Sequence, residues 1–403
     1  MVYTGNVPGV YLQQPAPIST AQLGGIDEFK SVIILGTATT GTANLLTDVY
    51  SYADFQAKFG TNSPCDAHVK SLFANYPSLA TTTTTRPSRV KFFKATDSGG
   101  SPTPTTHLTA GITALTGLDE LPLGILLAPE AYTVANAPDT ATLYTLLDTL
   151  SQAKGLLHFA DFRSTVNTAA LVATAADGYL APKRATAAYY GWNLENSIQV
   201  PLSVIAAAQA MRTFDERGQF TPPAGKYPII ASAPQPALLN FTGQETVHGK
   251  RVNYVRRLSL NGVGSDLVWG TRMMSSDEDQ GCMDINTYVA SVITERTVTR
   301  DIQVFQSITD QQILAAGLKA SLATTLTRLS NAGAYQRNVT TTKEFVIQRV
   351  TGQLVQVPTG TPFPQGFLIL EPIIIKRQQY IDFVYIPVTT QEQVILRSAR
   401  IAV

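Results

Sequence analysis

The chain has 403 residues, of which 44% are apolar and only 15% charged, and its net charge is +1. That length allows two or three domains with a sizeable core, and the near-zero charge excludes bulk attraction to nucleic acid or to a membrane surface. No apolar run reaches the ~18 residues of a membrane span, and the first residues lack the basic and apolar regions of a secretory signal. Cys65 and Cys282, far apart in sequence, read as reduced thiols.

Residues 1–26 contain no charged side chain, and Pro8, Pro15 and Pro17 forbid a helix. Val7 to Leu12, with Val10 and Tyr11, reads as a short strand awaiting a partner, an extended arm that docks on another copy. Residues 31–60 read as a strand, a turn and a short helix, and 66–77 as a helix ending near Pro77. Thr81 to Thr85 is a β-prone linker or loop. Arg89 to Lys94 is a strand, and 97–106 is a loop by composition.

From 107 to 235 strands alternate with helices. Leu123 to Leu127 and Leu156 to Phe159 are short apolar strands. Residues 139–154 repeat leucines at helical spacing, 167–177 is an Ala-rich helix, and Val200 to Phe214 is a long one. This pattern predicts an α/β layer, here a separate subdomain inserted between two halves of a core.

Residues 251–260 alternate. Val252, Tyr254, Leu258 and Leu260 point one way, and Arg251, Asn253, Arg257 and Ser259 the other, as in a strand with one buried face. Asn261-Gly262 is a hairpin signal, and the return strand carries Trp269, which reads as core. Helices follow at 284–305 and 309–332, the second opening near a capping box with Thr309 as N-cap and ending at Gly333. Strands are expected at 343–350, 366–375, 379–387 and 393–402.

Catalytic motifs are not found. No phosphate loop, dinucleotide fingerprint or nucleophile elbow is present. His68, His107, His158 and His248 are scattered without a second ligand at metal spacing. Asp277, Glu278, Asp279 and Asp284 do not match a calcium loop. They read as a solvated loop or the acidic start of a helix. From Gln311 to Lys343 no residue is acidic, whereas Lys319, Arg328, Arg337 and Lys343 are basic. This is either a solvated face or a positive surface for an acidic partner. Val394, Ile395, Leu396 and Ile401 make the last strand apolar on both faces, a poor exposed edge.

Several segments, in order, carry a resemblance. RVNYVRRLSLNGVGSDLVWGTRMMSS (251–276) is similar to the Asn-Val-Ile-Arg strand, Gly-rich turn and Val-Trp-Gly-Ala-Arg run of contractile tail sheath proteins. Pro8-Gly9-Val10-Tyr11-Leu12 resembles their opening and Ser31 to Gly36 their first core strand. SYADFQAKFG (51–60) resembles their Ser-x-x-Asp-Phe segment, and DERGQFTPPAG (215–225) a linker. The C-terminal Thr390 to Val394 departs from the usual Pro-Ala-Glu-Phe-Ile.

The resemblance implies an α+β fold: a sheath core built from N- and C-terminal parts, an α/β insertion and extended terminal arms. The expected divisions are an arm at 1–26, the first part of the core at 27–106, the insertion at 107–235, a C-terminal core domain at 236–387 and an arm strand at 388–403. It implies a non-enzymatic structural subunit without cofactor, in stacked hexameric rings around an inner tail tube, contracting to drive the tube through an envelope. Partners would be other copies, the tube protein, and baseplate and tail terminator proteins, with no direct nucleic acid contact and no membrane insertion. Val7, Val10, Tyr11, Leu12, Val394, Ile395, Leu396 and Ile401 would be the inter-subunit arms, and Lys319, Arg328, Arg337 and Lys343 the tube-facing set. The location would be a virion tail assembled in the host cytoplasm, or a bacterial cytoplasm for a cellular injection system. The competing reading is a soluble α/β enzyme, which needs a nucleophile–base pair or a metal cluster.

Overall fold

The computed structural model describes residues 25–80, 88–96, 104–134, 137–163, 165–180, 183–195, 197–230, 238–260, 263–275, 283–303, 311–341, 344–349, 351–371, 373–375, 378–387 and 397–402. In chain order the elements are β1 (Ser31–Gly36), β2 (Leu46–Val49), α1 (Tyr52–Phe59), α2 (Asp66–Asn75), β3 (Val90–Lys94), α3 (Pro104–Thr116), β4 (Gly124–Leu127), α4 (Ala137–Lys154) and β5 (Leu157–Asp161). Then come α5 (Ala169–Ala175), β6 (Thr186–Tyr190), β7 (Trp192–Glu195), β8 (Ile198–Pro201), α6 (Leu202–Arg217), α7 (Phe241–Gly249), β9 (Asn253–Leu260), β10 (Val263–Trp269), α8 (Ile285–Gln303) and α9 (Gln311–Asn331). Short strands finish the chain: β11 (Val339–Thr340), β12 (Phe345–Gln348), β13 (Leu354–Val357), β14 (Pro362–Phe363), β15 (Phe367–Ile369), β16 (Ile373–Ile375), β17 (Gln378–Tyr385) and β18 (Arg397–Ala402).

One sheet organises the first two thirds. Its eight strands run β10-β9-β6-β5-β4-β1-β3-β2. From β3 to β9 all pairs are parallel, and β2 and β10 close the edges antiparallel. A parallel strand is covered on both faces, so it reads as a continuous apolar run, as SVIILG and GILL do. Alternate residues still part to opposite sides. Val32, Ile34, Phe92, Leu127 and Phe159 pack under α2, α6 and α8. Ile33, Leu35, Phe93, Leu126 and Ala160 pack under α3, α4 and α7. The architecture is therefore mixed α/β with helices on both faces.

This corrects the expected partition. The 107–235 segment is not a sheet of its own, because β1 and β3 from before it and β9 and β10 from after it belong to the same sheet. Nor is β9 half exposed at its start. Val252 and Asn253 are fully buried and Tyr254 nearly so, since β6 pairs one edge of 253–254, β10 pairs the other, and helices cover both faces. The amphipathic alternation holds only further out, at Arg257. Helix α3 was hidden by its Thr- and Gly-rich composition. Pro104 stands at its start, where a missing N–H costs nothing, and His107, Leu108, Gly111, Ile112 and Leu115 bury one face.

Trp269 is only half-buried: its ring packs over Gly225 and under the Arg256 guanidinium at 4.8 Å. The neighbouring motif residues form a clip. Asn253 donates to the carbonyls of Ala188 (3.1 Å) and Arg272 (2.9 Å) and accepts from the Arg272 N–H (2.9 Å). Gly270 (φ 101°) lets the chain pass, because a Cβ there would lie 2.4 Å from Asn253 Oδ1. The motif that signals the resemblance thus fastens β6, β9 and the 270–272 turn.

The last third forms smaller sheets. β17 pairs β15 and β16 along one edge and β18 along the other, while β12 pairs β13 and β11 pairs β14. Helix α9 presents Leu318, Leu322, Leu326 and Leu329 inward, at three- and four-residue spacing, to the same core as α8. It ends at Gly333 (φ 88°) as expected, and Thr309 lies outside the described residues. No helix among the described residues is long and apolar enough to cross a membrane.

The closest approach in the sheet is testable. A Cβ on Gly124 would sit 1.9 Å from the Ser31 carbonyl oxygen of β1. Gly124→Ala should push β4 off β1 and cost on the order of 3 kcal/mol, read as a lower denaturant midpoint. A variant melting with the parent would show that the two strands separate here without cost.

Candidate functional site

The residues singled out for assembly fall into two groups. In the basic set, Lys319 is 42% exposed and pairs with the exposed Glu371. Arg328 turns inward to Asp301 of α8, whose side chain is 2% exposed. Asp301 also accepts from Thr325 Oγ1 (2.8 Å) and Arg300 Nε (3.2 Å). Arg337 donates to Ser330 Oγ (2.9 Å) and Asn331 Oδ1 (2.5 Å) at the end of α9. Lys343 lies outside the described residues. The acid-free stretch is therefore not charge-uncompensated. Its counter-charges come from α8 and the 371 turn, distant in sequence.

The arms are described only at their roots. Val7, Val10, Tyr11, Leu12, Val394, Ile395 and Leu396 lie outside the described residues. The N-terminal root is held on α8, where Arg300 Nη1 meets Asp27 Oδ1 at 2.5 Å, Arg300 Nη2 donates to the Gly25 carbonyl, and the Asp27 N–H reaches Thr297 Oγ1 at 3.5 Å. Gln219 fixes the next turn, accepting from the Phe29 N–H at 2.8 Å and donating to the Asp27 carbonyl at 3.2 Å. At the other terminus Ile401 stands opposite Ile381, with β18 antiparallel to β17 of its own chain. The segment expected to join a neighbour thus closes this chain's own sheet. Beneath that sheet lies a buried ion pair, Arg349 Nε to Asp382 Oδ2 at 2.9 Å.

A third cluster was not anticipated. The carboxyl ends of β1, β4 and β5 carry Thr37, Glu130 and Asp161. Glu130 Oε1 accepts from Thr37 N (2.6 Å), Thr37 Oγ1 (2.8 Å) and Cys65 Sγ (3.1 Å). Burial, with the Glu130 charge second, pushes the Cys65 thiol well up, so it is an inert thiol donor. Cys282 lies outside the described residues. Asp161 is buried, and desolvation pushes its carboxyl up to about 7 against the opposing hydrogen bond from Ser203 N (2.9 Å). Burial pushes His158 down to about 3 and His68 down to about 4, so both rings are neutral near neutral pH. His248 is lowered chiefly by burial and stands apart on α7, and Asp284 contacts Thr271 Oγ1 at 3.3 Å. Asp277, Glu278 and Asp279 lie outside the described residues. The only sequence signal for this cluster was its position at strand ends, which becomes meaningful once strand order is known.

No protein-family model matches the chain, and the comparison with curated proteins gives no match. Solved structures do match. A sheath complex of the extracellular contractile injection system PVC, in its contracted state, shares 18% identity over 90% of this chain and 95% of its own, with a TM-score of 0.62. A chain of the anti-feeding prophage baseplate shares 17% identity over 92% of this chain and 98% of its own, with a TM-score of 0.59. A sheath tail protein from Listeria innocua shares 7% identity over 94% and 96%, again with a TM-score of 0.59. At such identities the likeness is one of fold: the chain has the fold of contractile sheath proteins along nearly its whole length.

Two tests follow from the geometry. Arg328→Glu faces a second carboxylate toward buried Asp301 and should cost about 3–5 kcal/mol, whereas Lys319→Glu, at an exposed pair, should change stability by less than about 1 kcal/mol. Equal chemical denaturation curves for the two variants would contradict the inward placement of Arg328. Asp161 supplies a pH dependence. Its carboxyl is raised in the folded state, so its contribution is fully present below about pH 4 and is lost as pH rises through about 7. Asp161→Asn keeps an acceptor for Ser203, so its stability relative to the parent should improve between pH 4 and 7 and level off above. A difference constant with pH would contradict the burial of the charge.

Proposed function

We propose that the chain is a structural, non-enzymatic subunit of a contractile sheath, polymerising as stacked hexameric rings around an inner tube. The end-to-end likeness of its fold to subunits of helical sheaths and baseplates carries this reading. Residues 1–26 and 388–403 are the exchanged arms. An open sheet edge takes a strand from another chain through backbone hydrogen bonds, and β18 has a strand neighbour on one side only among the described residues. Two arrangements use that edge. A neighbour's N-terminal arm, through Val7, Val10, Tyr11 and Leu12, adds outside β18, or a neighbour's 388–403 replaces β18 against β17. Such contacts are head-to-tail and generate an open tube. Contraction is then a one-way rotation of subunits with the arms as hinges.

The tube-facing contact falls to Lys319, Arg337 and Lys343, since Arg328 is paired with Asp301 and could be recruited only by breaking that pair. The tube, baseplate and tail terminator proteins are the proposed partners. A virion tail, or a cytoplasmic injection apparatus, is the proposed location.

Negative-stain microscopy of the purified protein tests the proposal, with striated cylinders as the expected result. Deletion of 1–20, or separately of 390–403, should leave soluble monomer with little change in its far-UV spectrum and no cylinders. Cylinders of normal length from either truncated protein would sink the arm assignment. Uniform small particles from the full chain under all assembly conditions would sink the sheath assignment.

A further inference from the structure

A second site lies at the carboxyl ends of β1 and β4. The chain passes from β1 outward to β3 on one side, then crosses through α3 to β4 on the other. Such a divergence in an open α/β sheet leaves a crevice where ligands bind. Here it is a cleft of about 850 Å³, lined by Thr37, His68, Glu130, Tyr132, Leu194 and Ile198 among others, within the size range of small-ligand sites.

Its polar groups are acceptors. Glu130 is 8% exposed, and its three donors all converge on Oε1. Oε2 is left without a protein donor among the described residues, and no described cation pairs with this carboxylate. Lys94, which ends the neighbouring strand, donates instead to the Gly41 carbonyl at 3.2 Å. His68, 6% exposed on α2, bonds the Gln199 backbone through its ring, yet Nδ1 has no partner among the described residues. In a neutral ring whose Nε2–H donates to a carbonyl, Nδ1 is an acceptor. A buried carboxylate and a buried imidazole lone pair, both unmatched, are costly unless a donor arrives. The lip is apolar: Leu194 and Ile198, on β7 and β8, are 39% and 49% exposed.

The complementary guest is a cation with several N–H donors on an apolar stem. A guanidinium presents five donors in a plane and can serve two separate acceptors at once, which a compact ammonium does less well. A divalent metal is a poorer match, because among the described residues no three His, Cys, Asp or Glu side chains converge. We propose that this cleft binds an alkylguanidinium, with Glu130 Oε2 and His68 Nδ1 accepting its N–H groups and Leu194 and Ile198 covering its stem. The guest is either a free small molecule or an arginine side chain of a second copy.

Calorimetric titration of butylguanidinium into dispersed full-length protein tests this, with butylurea as the neutral control. Saturable binding is expected for the cation only. Glu130→Gln keeps an acceptor for Thr37 but loses the charge, and should bind about tenfold more weakly. Leu194→Lys, at an exposed lip position that leaves the core untouched, should weaken binding several-fold by supplying a competing charge. Absence of saturable binding to the parent, equal binding of butylurea, or unchanged affinity in both variants overturns the proposal. The dispersed protein reads the cleft whether or not the chain forms cylinders. Where cylinders form, retained binding assigns the guest as a free molecule and lost binding assigns it as a neighbour's arginine.

Discussion

Everything in this molecule depends on covering β1. It lies between β3 and β4, with a helix layer above and another below, and from Val32 to Leu35 every side chain is at most 1% exposed. A strand so placed needs partners for both rows of backbone groups and apolar cover on both faces. Those partners come from three separate stretches of chain. β3 arrives some 60 residues later by the register Ile34 to Phe92, β4 after the α3 crossover, and α8 supplies cover from beyond β10. The first two thirds of the protein therefore form one layered unit and cannot be divided where composition changes.

The few charges are placed inside this framework more than upon it. Arg89 joins Asp215 through Nη1 and Nη2 and ties the start of β3 to the end of α6. Asp301 gathers Arg300, Arg328 and Thr325 between α8 and α9, and Arg300 extends the network to Asp27. Removing one partner of such a buried pair costs far more than the pair contributes. These networks therefore fix geometry, in particular where the N-terminal segment leaves the body. A chain with so few charges to keep copies apart suits association through backbone edges and apolar strands.

Two surfaces remain open, and they are chemically unlike. The edge at β18 offers a row of backbone donors and acceptors, which favours another extended chain regardless of its side chains. The cleft at β1 and β4 offers a carboxylate, an imidazole lone pair and an apolar lip, which discriminate by charge and shape. Fold alone decides neither, since one architecture hosts many functions and the site carries the chemistry.

The sequence by itself determined the parts whose signal is local. SVIILG, GILL and LHFA are apolar runs too short for helices, and they are β1, β4 and β5. The leucines of 143–150 fall at helical spacing, and they are in α4. Gly333, with its positive φ, stops α9 because only glycine adopts that conformation freely. The ordered motifs from Pro8 to Arg272 pointed to the sheath fold. Tertiary structure alone decided the rest. α3 is helical despite poor propensity because burial of Leu108, Ile112 and Leu115 outweighs it. Arg328 is an internal ion-pair partner because its acid lies 27 residues away. Glu130 and His68 meet over a cleft because β1 and β4 are neighbours in space and not in sequence. Periodicity and capping act over a few residues, so a sequence displays them. Strand order, charge pairing and the convergence of strand ends are long-range contacts, and no stretch of the chain contains both of their halves.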